Sequence, residues 1–150
     1  MLRGVTQLSL DPKGRFAVPQ RYRETLAEGS EPGTRLIMTA DPSRCLLLYP
    51  LAAWEPIQKK LMGLSSFNVA TRALQRLLVG HANDVDMDAT GRLLVPPSLR
   101  QYAGLDKRIV LVGQGNKFEI WDEGRWDELT AAADSFSAGG LPSELEGFSL

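Results

Sequence analysis

The sequence contains one cysteine, Cys45, and one histidine, His81, among its 150 residues. A single cysteine cannot form an intramolecular disulfide and cannot provide a cysteine metal cluster. With one histidine the chain is poorly equipped for histidine-assisted catalysis, although carboxylates alone could still transfer protons. No motif in the sequence combines a nucleophile with a base. The sequence therefore predicts no enzyme activity, no catalytic residues, no metal site and no cofactor.

Long apolar segments are lacking as well. The densest apolar run covers residues 45–54 and is interrupted by Pro50, whereas a membrane-spanning helix needs about 20 residues. The N-terminal residues do not form the apolar stretch of a signal peptide. With 43% hydrophobic and 23% charged residues, the composition is that of a folded globular chain. We therefore expect a cytoplasmic protein without membrane contact.

The net charge of -1 conceals a strong segregation of charge along the chain. Residues 1–121 hold 16 basic and 11 acidic residues, whereas residues 122–150 hold one basic and seven acidic residues. The segment 57–83 has four basic residues and no acidic one. Charge alone leaves two interpretations open, namely solvated surface elements or contact with nucleic acid or phosphate.

An internal repeat determines the predicted domain organisation. Residues 11–23 align with residues 88–100 at a constant offset of 77, with six identical positions. The identical pairs are Asp11 and Asp88, Gly14 and Gly91, Arg15 and Arg92, Val18 and Val95, Pro19 and Pro96, and Arg23 and Arg100. This pattern predicts a first unit at 1–63, a connector helix at 64–79, a second unit at 80–133, and an acidic tail at 134–150 that frays or docks on a partner.

Each unit is predicted to contain the same elements. Leu8 and Leu10 alternate with polar residues before a type I turn at residues 11–14, so the unit is expected to open with a β-hairpin. A short helix, two apolar strands and a helix carrying Trp54 or Trp126 follow. Pro56 should lie in the first turn of its helix or kink it. The fold class is therefore mainly β with short helices (α+β).

The repeated turn is the candidate functional feature. Asp11 and Asp88 can accept hydrogen bonds from turn amides, and Gly14 and Gly91 allow the turn conformation. Arginine at the next position can either brace the aspartate or project outward, where it can read guanine in a major groove wide enough for a two-stranded ribbon. The candidate DNA-binding residues are Arg3, Lys13, Gly14, Arg15, Thr90 and Arg92, and the structural turn residues are Asp11, Gly14, Asp88 and Gly91. On the short helices, Arg21, Arg23 and Arg100 are expected to be solvated or ion-paired.

Both turns, with their flanking residues, resemble the tandem repeat of the MraZ transcriptional regulators, in the AbrB-like swapped-hairpin DNA-binding superfamily. The resemblance covers almost the whole chain and includes residues 46–50, 75–82 and 112–121. It implies a compact barrel built from two swapped-hairpin units and assembly into a homo-oligomeric ring. It also implies nucleoid-associated binding to double-stranded DNA at G-rich direct repeats upstream of the cell-division and cell-wall operon, usually the protein's own, with repression as the typical result. The family's turn arginine corresponds to Arg15 and Arg92.

One alternative function remains open from the sequence. The repeated hairpins could brace a ring-forming scaffold for protein interactions that has no specific DNA readout. The acidic tail leads to a separate hypothesis, in which it competes with DNA for the basic face.

Overall fold

The computed structural model describes residues 1–27, 35–132, 142–145 and 147, so most of the predicted tail at 134–150 lies outside the described residues. The elements are β1 (Leu2–Ser9), β2 (Arg15–Ala17), α1 (Gln20–Ala27), β3 (Arg35–Ala40), β4 (Leu46–Pro50), α2 (Leu51–Met62), α3 (Val69–Leu78), β5 (Asn83–Asp86), β6 (Arg92–Leu94), α4 (Pro97–Tyr102), β7 (Arg108–Gly115), β8 (Phe118–Asp122), α5 (Glu123–Ala131) and a short 3-10 turn (Ser143–Leu145). The structure is therefore a mixed α+β fold with mostly antiparallel strands, as predicted.

The strands form two separate sheets. Six of them pair antiparallel in the order β1-β7-β8-β4-β3-β5, and β2 pairs with β6 in a two-stranded ribbon. The expectation of a compact barrel is wrong for the described strands, because β1 and β5 lie at opposite edges of an open sheet. A barrel requires its first and last strands to pair with each other.

Strand pairing also corrects the predicted opening hairpin. β1 pairs along its whole length with β7, so that Leu8 lies opposite Ile109, and β2 pairs with β6 rather than with β1. In the second half of the chain, β5 pairs with β3. An eight-residue strand completes a longer ladder with the eight-residue β7 than it could with the three-residue β2. The strands that flank each turn are thus exchanged between the two halves of the chain.

The main core is shared by the two halves. Phe16 on β2 lies opposite Leu93 on β6, and the two side chains are 1% and 0% exposed. Val18 and Val95, which follow these strands, are also buried. Complete burial of a side chain of this kind stabilises a fold by roughly 1.5–3 kcal/mol. The two-stranded ribbon is therefore anchored to the core through one face.

The two central helices leave apolar side chains at the surface. Helix α2 continues through Pro56, which lies beyond its first turn. Helix α3 begins after Asn68, which is its N-cap because its side chain accepts a hydrogen bond from the Thr71 amide at 3.2 Å. Phe67 and Val69 beside this cap are 96% and 80% exposed.

Within the described residues, every helix is too short or too polar to cross a membrane.

Candidate nucleic-acid interface

The β2–β6 ribbon presents two arginines on its outer face. Because side chains alternate along a strand, the inward position of Phe16 and Leu93 directs Arg15 and Arg92 to the opposite face, which also carries the exposed Leu94. Arg15 pairs with Leu94, and Arg92 pairs with Ala17 across the ribbon. This diagonal register separates the two arginine Cα atoms by roughly 8 Å, from a rise of about 3.3 Å per residue and a strand spacing of about 4.8 Å.

The first turn holds Arg15 in a fixed orientation. One carboxylate oxygen of Asp11 accepts the backbone N–H groups of Lys13 and Arg15, both at 2.9 Å. The other oxygen accepts the Arg15 Nε–H at 2.8 Å. Gly14, with a φ of 85°, completes the turn through a 2.9 Å bond to the Asp11 carbonyl. In the described part of the chain, the two terminal amino groups of the Arg15 guanidinium form no hydrogen bond, and they remain available to a ligand.

The second turn repeats this geometry. Asp88 accepts the backbone N–H of Arg92 at 2.9 Å and its Nε–H at 3.0 Å. Thr90 donates both its amide, at 2.9 Å, and its hydroxyl, at 2.8 Å, to the same carboxylate. Gly91 has a φ of 80°, and its amide bonds to the Asp88 carbonyl at 3.0 Å. Both aspartates therefore accept hydrogen bonds from the turn amides, and each also accepts the Nε–H of its arginine.

The bracing bonds lower the pKa of each aspartate. For Asp11 the main cause is the backbone N–H of Arg15, and for Asp88 it is the backbone N–H of Arg92, supported by the Thr90 hydroxyl. Both bonds favour the ionised carboxylate. Because the folded pKa lies below the unfolded one, the stabilisation is fully present above the ordinary value of 3.8 and is lost as pH falls through the folded pKa.

We expect Asp88→Asn to lower the unfolding midpoint in urea at pH 7 and to have progressively less effect as the pH falls below 3.8. The amide cannot carry the charge that the turn donors favour. Unfolding curves at several pH values measure the difference. Asp84→Asn is the matched control, because Asp84 is an exposed aspartate on the neighbouring strand β5. If the urea midpoints of the wild type and Asp88→Asn differed by the same amount at every pH, the lowered pKa of Asp88 could not be the source of the stabilisation.

Two further arginines lie against the turns, and each comes from the other half of the chain. A Cβ atom on Gly91 would collide with the guanidinium of Arg23 on α1, and one on Gly14 would lie 3.3 Å from Nη1 of Arg100 on α4. Backbone hydrogen bonds also connect each turn to the other half of the chain. The Val18 amide donates to the Gly91 carbonyl and the Val95 amide to the Gly14 carbonyl, both at 2.9 Å. Arg23 and Arg100 are predicted to be solvated or ion-paired, and within the described residues neither of them has a carboxylate partner.

The structure separates Arg3 from the first turn. Arg3 lies opposite Gln114 near the start of β1, and an extended strand separates it from Asp11 by roughly 25 Å. Arg21 is bound elsewhere, because its Nη2 donates to the Thr6 hydroxyl at 2.7 Å and its guanidinium lies 4.6 Å from the centre of the Tyr22 ring. Among the other predicted DNA-binding residues, Lys13 is exposed at the first turn, Gly14 is buried within it, and Thr90 is exposed at the second turn.

A cluster of possible metal ligands lies away from the ribbon. The ligand atoms of Asp41, Cys45 and Glu119 lie within 4.8 Å of one another. The Glu119 carboxylate already accepts hydrogen bonds from Gln114 at 3.0 Å and from the Trp121 indole at 3.2 Å. Burial, together with the two carboxylates, raises the pKa of the Cys45 thiol. The buried thiol packs with Val110, Val112 and Trp121 and donates a weak 3.8 Å hydrogen bond to Glu119, so Cys45 serves as a small core residue here.

Known proteins resemble this chain over its whole length. A family described as "MraZ protein, putative antitoxin-like" matches the chain twice, over residues 1–77 and 78–140. The chain is 62% identical to a protein of Nitrosospira multiformis and 58% identical to one of Thiobacillus denitrificans. Both alignments cover 150 residues and the full length of both chains, and each relative is named transcriptional regulator MraZ. With full-length matches at this identity, the chain belongs to the MraZ family.

Proposed function

We propose that this protein is a transcriptional regulator that binds double-stranded DNA through the β2–β6 ribbon. The observation that carries the proposal is the pair of braced, outward-facing arginines, Arg15 and Arg92, on one two-stranded ribbon. A major groove admits such a ribbon, and an arginine fork can donate two hydrogen bonds to O6 and N7 of guanine. The names of the relatives support the regulatory role.

The braces prepare the arginines for this contact. An unrestrained arginine side chain loses rotational freedom when it binds, and that loss reduces affinity. Asp11 and Asp88 fix the Nε end of each guanidinium before DNA arrives, and among the residues that the structure describes the terminal amino groups have no other partner. The separation of roughly 8 Å between the two Cα atoms corresponds to about two to three base-pair steps. Each ribbon therefore suits a short element in which guanines occur close together.

The proposed target follows from the family resemblance. We place the binding site in G-rich direct repeats upstream of the cell-division and cell-wall operon to which the gene itself belongs, with repression as the result. Such a regulator works at the nucleoid in the cytoplasm. One ribbon offers few contacts, and a single short element gives limited affinity. Binding to repeated elements gains strength when several linked ribbons engage at once.

The α2–α3 surface supports a homo-oligomer that would link several ribbons. Met62, Leu64, Phe67 and Val69 are all exposed over a short segment, with Phe67 at 96%. Soluble proteins rarely leave a concentrated apolar surface unpaired, and such surfaces mark sites of association. We assign this surface to contacts between copies of the chain, arranged as a ring.

Titration of the purified protein with labelled duplexes tests the proposal. The duplexes carry the upstream region with its repeats intact, with a single repeat, or scrambled, and each is measured at several salt concentrations. We expect preference for the intact region, weaker binding to the single repeat, and a steep loss of affinity with salt. Equal binding to all duplexes contradicts sequence-specific readout. Absence of binding to any duplex favours the alternative of a protein-interaction scaffold whose turns serve only as braces.

A further inference from the structure

The two braced turns carry little net positive charge of their own. In each turn the arginine is paired with an aspartate, at 2.8 Å for Arg15 and 3.0 Å for Arg92. The first turn adds Lys13, whereas the corresponding residue of the second turn is the uncharged Thr90. Attraction of DNA phosphates depends on cationic side chains. Because Asp88 matches the charge of Arg92, a cation from outside the second turn would strengthen its attraction for a phosphate.

Arg23 is such a cation. Its guanidinium packs directly on Gly91, at a distance that leaves no room for a Cβ atom on that residue. Its Nε–H donates to the Val18 carbonyl at 2.8 Å, which fixes the plane of the guanidinium. Within the described residues, its terminal amino groups form no hydrogen bond. Arg23 is thus a half-buried and oriented cation, held against the turn of the opposite half.

Arg100 has the equivalent position at the first turn. It corresponds to Arg23 in the repeat, and its Nη1 would lie 3.3 Å from a Cβ atom on Gly14. The packing is looser than at Gly91, and Lys13 already supplies a charge at this turn. The contribution of Arg100 is therefore expected to be smaller than that of Arg23.

We infer that each DNA-contacting turn is a composite site, completed by an arginine from the other half of the chain. Arg23 supplies the phosphate-binding charge beside Arg92, and Arg100 does so beside Arg15. This inference rests on the proposed DNA binding and adds to it a partner for each turn. The exchanged strands bring the paired residues together, although they are 69 and 85 positions apart in the sequence.

Single variants test the charge of Arg23. Arg23→Ala should weaken binding to the G-rich duplex by about tenfold, as expected for loss of a hydrogen bond to a charged group. It should also reduce the slope of log affinity against log salt by about one. Arg23→Lys should retain most of that slope, and Arg23→Gln should lose it. Lys117→Ala is the control, because Lys117 lies in the β7–β8 turn, outside both the ribbon and the α2–α3 surface, and it should leave the slope unchanged.

A double-mutant cycle tests which turn Arg23 completes. Arg23→Ala combined with Arg92→Ala should weaken binding less than the product of the two single effects, because both residues serve one site. Arg23→Ala combined with Arg15→Ala should give the full product. The Arg100→Ala cycle should show the reverse preference. These measurements use the full-length protein, with folding of each variant checked by circular dichroism.

Three outcomes overturn the inference. If Arg23→Ala leaves affinity and slope unchanged while Arg15→Ala and Arg92→Ala weaken binding, DNA binding stands and the composite site does not. If all three Arg23 variants weaken binding equally with an unchanged slope, Arg23 is a structural brace through Val18. If the wild-type protein binds no duplex, the inference fails together with the proposed function.

Discussion

The double variant Arg15→Ala, Arg92→Ala is expected to bind the G-rich duplex about a hundredfold more weakly than the wild type, or worse. A bidentate arginine–guanine contact contributes roughly 1–3 kcal/mol of discrimination, so two contacts together account for an effect of this size. The fold should persist, because Asp11 and Asp88 keep their backbone hydrogen bonds when the arginine side chains are removed. Partly exposed ion pairs also contribute little to stability. Fluorescence anisotropy and thermal unfolding measure the two effects separately.

The lysine variants at the same positions provide the control. Arg15→Lys and Arg92→Lys keep the charge but lose the planar fork. They should bind scrambled and G-rich duplexes with similar affinity, whereas the wild type prefers the G-rich one. If the alanine double variant retained the preference of the wild type, Arg15 and Arg92 could not be the residues that read the bases.

The sequence predicts the local elements of this fold well. The turn at 11–14 and its repeat at 88–91 are encoded by Asp, Gly and Arg at fixed spacing, and the structure has both turns. The N-cap at Asn68 and the apolar strands β3, β4, β7 and β8 also follow from local patterns. These features depend on residues that are neighbours in the sequence.

The pairing of the strands could not be predicted in the same way. Alternation of apolar and polar residues identifies the buried face of a strand, but it does not identify the neighbouring strand. The apolar pattern around the first turn fits a local hairpin as well as it fits exchanged strands. It consists of Leu8 and Leu10 before the turn and Phe16 and Val18 after it. The choice between a hairpin and an exchange depends on ladder length and on the shared core, which local patterns do not reveal.

The same limit applies to the candidate site. The position of Arg3 before the first strand predicts that it joins the basic face of the turn, yet β1 carries it away from the first turn. The sequence predicts Arg23 and Arg100 to be solvated or ion-paired, yet they pack on the turns of the opposite halves. Their identity at an offset of 77 was visible in the repeat. Without the exchanged strands, however, nothing related each arginine to the other turn.

Separating the two halves of the chain should abolish their folding. A fragment of residues 1–79 contains β1 and β2 but lacks β7 and β6, with which these strands pair. It also lacks Leu93, which lies opposite Phe16 on the buried face of the ribbon. Phe16 therefore loses a neighbour in the core. We expect circular dichroism of this fragment to show no cooperative unfolding transition, and the fragment of residues 80–150 to behave in the same way. The full chain should unfold in a single transition, because each half supplies strands to the other.

Mixing the two fragments is the control for damage caused by cutting the chain. An equimolar mixture should regain the circular dichroism of the intact protein, with unfolding that depends on concentration because two chains must associate. A fragment that folded only as a dimer would contradict the expected loss of folding but not the strand exchange, since the repeat allows a second copy to supply equivalent strands. A stable, cooperatively folded monomer of residues 1–79 would contradict it, because β1 and β2 would then have found partners within their own half.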